Sequence, residues 1–300
     1  MMSSRKTALQ TDQGIGRQAA APFKAARTAA HRLWISAGAL FSPVCVERLE
    51  HFLIFAGYPR SGSSTLGSFL DAHSQMLVAH ELNVLKHVQR GYGRGQIFAL
   101  IARNSRRFAD SGRNSTGYKG LVEGQYNGRS AQPRVIGDKK AGRTALLLAQ
   151  DGMLLDRLQE TVRLPLKCLH LVRNPFDMIT THAYGGNNRR KQITPEVFDL
   201  TCREFFDRFD AMERLISSGR FDVKTLRYED LLDDPAGQLE SLISWLGVES
   251  DAAWREACCA HLFRSAHKSR SRYPWSAEEI RQLIERISRY DFLRGYTFDN

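Results

Sequence analysis

The sequence predicts an α/β fold built on a central, mainly parallel sheet. Short apolar runs of the length of buried strands alternate along the chain with longer segments whose apolar residues recur at i, i+3 and i+4. Polar residues follow several of the short runs, and in a parallel sheet such strand ends lie at one edge, where ligands bind. With 300 residues, 42% of them apolar, the chain can form one large domain with a substantial core.

The most specific local pattern lies in residues 52–81, FLIFAGYPRSGSSTLGSFLDAHSQMLVAHE. An uncharged run at 52–56 predicts a buried strand that stops at Gly57. A turn follows, rich in glycine, proline and serine, and its hydroxyl residues 63–65 are candidate N-caps for a helix with Leu66, Phe69 and Leu70 on one face. The N–H groups at such a helix start attract anions, so this strand, loop and helix predict a phosphate site.

The N-terminal region predicts a basic, partly disordered tail over residues 1–45, ahead of a domain at 46–300. The first 32 residues contain six basic residues and one acidic residue, Asp12. This composition also resembles that of an acid-poor transit segment. The uncharged stretch at 33–46 has 14 residues, fewer than the roughly 20 needed to span a bilayer. We therefore expect no transmembrane segment.

Residues 89–134 predict a basic, loop-rich insertion around one helix at 96–108. This stretch contains eight arginines and Lys119 but only two acidic residues. A solvated surface excursion and an acceptor-binding lid are equally compatible with such a long loop.

The remaining elements alternate in the same way. Helices are predicted at 82–88, from 141 to 162, from Thr194-Pro195 to Gly219, from Asp234-Pro235 to Gly247, and after a capping box of Ser276 and Glu279. Strands are predicted at 135–137, 167–172 and 222–226, and the first two end in Asp138-Lys139 and in Arg173. These polar strand ends are expected to converge with the glycine loop.

The glycine loop differs from a nucleotide-triphosphate loop in one decisive residue. Gly57 and Gly62 have the spacing of G-x-x-x-x-G-K-[ST], but Ser63 stands where the lysine is required. The cation of the loop is instead Arg60, and no strand end offers an uncompensated acid for magnesium. The loop therefore predicts a phosphate site without a metal.

These residues resemble those of sulfotransferases that use 3′-phosphoadenosine 5′-phosphosulfate (PAPS). Residues 59–65, PRSGSST, resemble the family's 5′-phosphosulfate loop, and Arg173 with Thr181 resembles its 3′-phosphate motif, although the family usually has serine at the second position. The stretch LRYEDL followed by Asp234-Pro235 is also similar. Within the family, the pattern is closest to the tyrosylprotein sulfotransferase branch and related bacterial enzymes.

The resemblance implies a P-loop-like three-layer fold and transfer of a sulfuryl group from PAPS to a hydroxyl or amine, with PAP as product and no metal. It implies Glu81 as general base, with Arg60 and Lys139 stabilising the transferred group, while His80 remains the alternative base. The implied cofactor-binding residues are Arg60, Ser61, Gly62, Ser63, Ser64, Thr65, Arg173, Thr181, Lys268 and Arg270.

Three broader expectations accompany this hypothesis. The net charge of +11 predicts an anionic partner, and the acceptor is a small molecule, a glycan or a peptide; no nucleic-acid-reading module is recognisable. Five cysteines without a C-x-x-C pair favour a reducing, cytoplasmic location. A P-loop nucleotide or small-molecule kinase is the alternative function.

Overall fold

The computed structural model describes residues 45–115, 118–185, 190 and 192–300, so all but the last residue of the predicted tail lies outside it. The strands in chain order are β1 (His51–Gly57), β2 (Met76–His80), β3 (Asn114–Ser115), β4 (Tyr118–Lys119), β5 (Val135–Lys139), β6 (Leu166–Val172) and β7 (Asp222–Arg227). Five of them form a sheet in the order β2-β5-β1-β6-β7, and every neighbouring pair is parallel. β3 and β4 form a separate two-stranded antiparallel sheet.

The helices connect these strands and cover the sheet. They are α1 (Ser63–Ala72), α2 (Val84–Gln89), α3 (Arg94–Asp110), α4 (Ala141–Gln150), α5 (Leu154–Val162), α6 (Pro175–Ala183), α7 (Pro195–Ser217), α8 (Tyr228–Asp233), α9 (Pro235–Leu246), α10 (Ala252–His261) and α11 (Ala277–Ile287). Short 3-10 helices occur at Val46–Arg48, Ser269–Arg272 and Asp291–Leu293.

Alternation along β1 divides the core into two layers of side chains. Phe52 and Ile54 join a cluster with α2, α3, α4, α5, α7 and α11, whereas Leu53 and Phe55 join one with α1, α8, α9 and α10. Because successive side chains of a strand point to opposite faces, the two clusters lie on opposite sides of the sheet. The predicted three-layer α/β fold with a parallel sheet is confirmed.

Most element predictions agree with this structure. Thr194 and Asp234 cap α7 and α9 through side-chain oxygens, Gly247 ends α9 in the left-handed conformation, and Ser276 and Glu279 form the capping box of α11. Several elements have no sequence prediction, namely β2, β3, β4, α8 and α10, and the helical region predicted from 141 to 162 is divided into α4 and α5. Only Ser74 and Gln75 separate β2 from the turn that ends α1, too short a break to identify in the sequence.

The predicted hydroxyl N-cap of α1 is wrong. The N-cap is Gly62, whose φ of 90° lies in the left-handed region, and no side chain caps the helix. Ser63 to Thr65 therefore lie in the first turn of the helix rather than before it. Glycine is suited to this conformation because it has no β-carbon.

The predicted insertion contributes to the core through α3. Ile97 and Ile101 are fully buried in the cluster on its side of the sheet, and the bounds of α3 include the predicted helix at 96–108. The helical half of residues 89–134 is thus part of the packed domain. Among the helices in the described ranges, none is both long enough and apolar enough to cross a membrane.

Candidate active site

The loop between β1 and α1 is a tight turn held by its own contacts. Arg60 has a φ of 69°, and the Ser61 hydroxyl donates to the carbonyl oxygen of Tyr58 at 3.0 Å. A β-carbon at Gly62 would lie 2.4 Å from the ring of Tyr228, at the start of α8. Glycine is therefore needed at residue 62 for space as well as for backbone conformation.

This turn leaves hydrogen-bond donors free at the start of α1. Within the described residues, the N–H groups of Gly62, Ser63 and Ser64 donate to no other group. Unpaired N–H groups at a helix N-terminus, where the helix dipole is positive, form an anion site. These free N–H groups are the geometric feature on which the prediction of a phosphate site rests, and we refer to them as the anion cradle.

Lys139 connects this cradle to the end of β2. Its ammonium donates to the Ser64 hydroxyl at 2.9 Å and to Oε1 of Glu81 at 2.5 Å. The lysine side chain is only 1% exposed. Its stem runs over α1 at Gly67, where a β-carbon would lie 2.8 Å from Lys139 Cγ.

Glu81 follows the last residue of β2 in a left-handed backbone conformation, with a φ of 59°. Its N–H donates to the Lys139 carbonyl at 2.9 Å, and its second carboxylate oxygen accepts from the Lys140 ammonium. Burial raises the pKa of Glu81, but Lys139 and Lys140 outweigh it, so that the pKa lies below its ordinary value. Glu81 is therefore ionised beside two lysines.

His80, the alternative base, occupies a different environment. Its ring stacks on Phe108 of α3 with ring centroids 3.9 Å apart, and its backbone N–H donates to Oδ1 of Asn104 at 2.7 Å. Burial and the positive charge of Lys139 lower the pKa of His80 to about 3. The imidazole is neutral at physiological pH and packed against α3.

Asp138, the residue before Lys139, has an internal role. Its two oxygens accept the N–H groups of Leu82 and Val84 at 3.1 and 2.8 Å, which fixes the turn after Glu81. Burial raises the pKa of Asp138 to about 6.

Arg60 and Arg173 lie on the other side of the loop. The Arg173 guanidinium donates to the Arg60 carbonyl at 3.4 Å and lies over the Tyr228 ring. Burial and the charge of Arg173 lower the pKa of Arg60. The buried Nε of Arg173 has no hydrogen-bond partner in the described part of the chain, whereas its Nη2 donates to the His267 carbonyl and lies 3.9 Å from Oδ2 of Asp177.

Thr181 contacts the segment at Ser269–Arg272, because its hydroxyl lies 2.7 Å from that of Ser269. Ser269 and Arg270 are held in turn by Asp177, which accepts the Arg270 N–H at 2.9 Å. The Arg270 guanidinium is 4% exposed and bonds to Asp177 and the Asn300 carbonyl, so its charge is engaged inside the chain. Lys268 is exposed and donates to the Asp299 carbonyl at 2.7 Å.

The structure thus brings the predicted residues into three groups. Ser64, Lys139 and Glu81 are in direct contact, and Arg60 contacts Arg173; Thr181 is joined to the Lys268–Arg270 segment through Ser269. Gly67, Asn104 and Ser269 contribute to these contacts without a sequence prediction. Ser269 lies inside the predicted basic cluster, which was its one available signal, whereas Gly67 and Asn104 gain their roles only from packing.

The fold and the loop define a P-loop-like α/β protein with unpaired N–H groups at the start of α1. A family profile described as sulfotransferase domain matches residues 50–294. The chain therefore belongs to the sulfotransferase-domain family and is a sulfotransferase, as the motifs predict. No curated protein matches the chain.

Among solved structures, sulfotransferase STF9 from Mycobacterium avium is similar with a TM-score of 0.51 and 13% identity, over 89% of this chain and 84% of that one. The sulfotransferase domain of the Synechococcus PCC 7002 olefin synthase gives a TM-score of 0.45 at 21% identity, over 69% and 76%. Mouse sulfotransferase SULT7A1, complexed with PAP, gives a TM-score of 0.45 at 13% identity, over 81% of this chain and 84% of that one. At these identities, the likeness to STF9 supports the fold alone.

Proposed function

We propose that this sulfotransferase transfers a sulfuryl group from PAPS to a hydroxyl or amine acceptor, with Glu81 as general base. The observation that carries the proposal is the bridge made by Lys139, whose ammonium contacts both Ser64 at the anion cradle and Glu81. One buried cation thereby links the place where an anionic donor would bind to the carboxylate that would take a proton.

Two sets of hydrogen-bond donors support an anionic donor with phosphates at both ends. The free N–H groups at the start of α1 and the side chain of Arg60 would hold the 5′-phosphosulfate. Arg173, with its unpartnered Nε, and the hydroxyl pair of Thr181 and Ser269 would hold the 3′-phosphate. Lys268 is the exposed cation of that segment, whereas Arg270 would hold the segment against α6 through Asp177.

The chemical step needs few groups. The acceptor oxygen or nitrogen attacks sulfur, the bond from sulfur to the 5′-phosphate oxygen breaks, and its electron pair leaves with PAP. Glu81 receives the acceptor proton, while Lys139 and the loop donors stabilise the charge on the sulfuryl and leaving oxygens. Phosphoryl transfer follows the same electrostatic scheme.

The choice of Glu81 over His80 rests on position. Glu81 contacts the cation of the cradle, whereas the imidazole of His80 is stacked on Phe108 of α3.

A metal-free reaction is supported by the bonding of the nearby carboxylates. Both oxygens of Asp138 accept backbone N–H groups, and both oxygens of Glu81 accept lysine ammonium groups. A divalent cation would have to displace these donors and approach two lysines.

A reducing, cytoplasmic location is also proposed, because all five cysteines are free thiols. The acceptor would be a small molecule, a glycan or a peptide; a nucleic acid is not expected.

The discriminating experiment is a thermal shift with two nucleotides, one measured in the presence of EDTA and the other in the presence of excess magnesium without EDTA. Adenosine 3′,5′-bisphosphate is expected to raise the melting temperature without magnesium, and ATP with magnesium is expected to have no effect. The reverse pattern would favour a kinase and contradict the proposal. Incubation with ³⁵S-labelled PAPS and a metabolite and glycan extract, followed by mass spectrometry, would then identify the acceptor.

A further inference from the structure

The two oxygens of Glu81 are held by lysines with different freedom to move. Oε1 accepts from Lys139, whose side chain is 1% exposed, and Oε2 accepts from Lys140, whose side chain is 28% exposed. Protonating this carboxylate would weaken two charge-assisted bonds at once. Glu81 is therefore a poor proton acceptor while both ammonium groups are in place.

Lys139 is fixed by its surroundings. Its stem fills the space over Gly67, and its ammonium is also bonded to Ser64. Movement of this ammonium would leave a buried positive charge without its partner, which is strongly unfavourable.

Lys140 is not fixed in this way. It is the N-cap residue of α4, makes no capping bond with its side chain, and has Glu81 as the only bonded partner of its ammonium among the described residues. Because the Lys140 side chain is partly exposed, water can replace its contact with Glu81, so this pair can open at a smaller cost than the pair made by the buried Lys139. Oε2 is thus the oxygen that can become accessible.

We propose that Lys140 masks the general base: its ammonium occupies Oε2 of Glu81 until an acceptor hydroxyl or amine displaces it, and only then does Glu81 accept the acceptor proton. This inference rests on the proposed role of Glu81. The masked carboxylate activates water poorly, so the sulfuryl donor is protected from hydrolysis before the acceptor arrives.

The charged and titratable groups around Glu81 are few. Lys139 and Asp138 approach from β5, His80 precedes it on β2, and Lys140 lies at the start of α4. Asp138 is bonded to the backbone and His80 is stacked on Phe108, which leaves Lys140 as the partly exposed cation on the carboxylate.

Hydrolysis without acceptor gives a direct readout. In this side reaction a water oxygen attacks sulfur, the bond to the 5′-phosphate oxygen breaks with its electron pair, and Glu81 takes a proton from water. The products are sulfate and PAP. The reaction needs no knowledge of the natural acceptor.

The test compares sulfate release from ³⁵S-labelled PAPS by the wild type, Lys140→Gln and Lys86→Gln. Lys86 is an exposed lysine of α2 and controls for loss of one positive charge. Lys140→Gln is expected to hydrolyse PAPS about three- to tenfold faster, the range for a rise of up to one unit in the pKa of the base. The acid limb of the pH–rate profile for hydrolysis by Lys140→Gln should move to higher pH, because Glu81 loses a cation that lowers the pKa of its carboxyl group.

Further variants distinguish masking from a structural effect. The gain should disappear in the double variant Lys140→Gln/Glu81→Gln, and Lys140→Arg should retain wild-type hydrolysis because it keeps the charge. Equal hydrolysis by the wild type and Lys140→Gln, or a gain that survives in the double variant, would overturn the masking role.

Calorimetry with adenosine 3′,5′-bisphosphate separates this inference from the proposed function. Binding by the wild type with unchanged hydrolysis in Lys140→Gln would refute masking alone. Absence of binding by the wild type would refute the donor assignment, and masking with it.

Discussion

Gly67 lies directly beneath the stem of Lys139, and a β-carbon at residue 67 would be 2.8 Å from Lys139 Cγ and 3.1 Å from its Cβ. Real β-carbons essentially never approach other atoms this closely when the neighbour is confined. The lack of a side chain on α1 is thus what allows one lysine to reach both Ser64 and Glu81. Helix interiors normally disfavour glycine, so a packing requirement explains its presence.

Gly67→Ala is expected to lower kcat by about tenfold, because displacement of Lys139 weakens an electrostatic donor of the kind that contributes about 3 kcal/mol to barrier lowering. Gly152→Ala is the matched control, since a β-carbon there would meet nothing within 4 Å. Steady-state kinetics of sulfuryl transfer to the identified acceptor measures kcat of both variants. Equal kcat in the two variants would contradict the role given to Gly67.

Glu81→Gln tests the base. The amide cannot take a proton, so turnover is expected to fall at least about a hundredfold, while affinity for adenosine 3′,5′-bisphosphate stays nearly unchanged. Calorimetry and single-turnover kinetics measure the two quantities separately. Full activity of this variant, together with loss of activity in His80→Asn, would assign the base to His80.

Much of the architecture could be predicted because its signals are local. The buried strand β1, the glycine turn and the caps at Thr194, Asp234 and Ser276 depend on short-range chemistry that is visible in the sequence. β2 could not be predicted, since its five residues follow α1 closely and become a strand by pairing with β5.

The candidate site likewise contains residues that could be predicted from the sequence and contacts that could not. Arg60, Glu81, Lys139 and Arg173 stand beside strand ends, where the parallel sheet brings them to one edge. The contacts of Lys140 with Glu81 and of Arg270 with Asp177 depend on side-chain placement between distant segments. No periodicity or spacing encodes such pairings, so the bonded state of Arg270 could not be foreseen.

Arg173→Ala is expected to weaken binding of adenosine 3′,5′-bisphosphate before it affects chemistry. A buried charge-assisted contact contributes about 1.5–3 kcal/mol, which corresponds to a loss of about tenfold to more than a hundredfold in affinity. Calorimetry measures this loss, with Arg157→Ala as control because Arg157 forms a surface ion pair with Asp151. Unchanged affinity in Arg173→Ala would remove Arg173 from the donor site.

A buried ion pair anchors the segment after α3 to the end of α1. The side chains of Arg113 and Asp71 are 1% and 0% exposed, and Asp71 also accepts the Val78 N–H at 2.7 Å and the Ser105 hydroxyl at 2.5 Å. Arg113→Leu is expected to cost about 3–5 kcal/mol of unfolding free energy, because it leaves a buried carboxylate without its cation.

The control for Arg113 is the surface pair of Arg129 and Asp110, whose side chains are 51% and 56% exposed. Arg129→Leu is expected to cost less than about 1 kcal/mol. Urea unfolding measures both variants. Similar losses in the two would show that burial does not determine the contribution of the Arg113 pair.

His170 provides a test of stability against pH. It is fully buried in β6, its Nε2 lies 2.9 Å from the Tyr58 hydroxyl, and its Nδ1 lies 3.1 Å from the Thr225 hydroxyl. Burial lowers the pKa of His170 to about 3. As pH falls below about 6.5, the unfolded chain binds a proton at this residue and the folded protein does not, so stability is lost until the pH approaches 3.

His170→Gln is therefore expected to reduce the loss of unfolding free energy between pH 6 and pH 4 by about 1.4 kcal/mol per pH unit, the contribution of one proton. Asp138, whose pKa is raised to about 6, acts in the opposite direction over this range, but equally in the wild type and the variant. Tyr58→Phe is the control: it removes the hydrogen bond, at a cost of about 1 kcal/mol, and leaves the titrating imidazole. Urea unfolding across this pH range should thus give a parallel curve for Tyr58→Phe and a shallower one for His170→Gln; parallel curves for both variants would contradict a neutral buried histidine at this position.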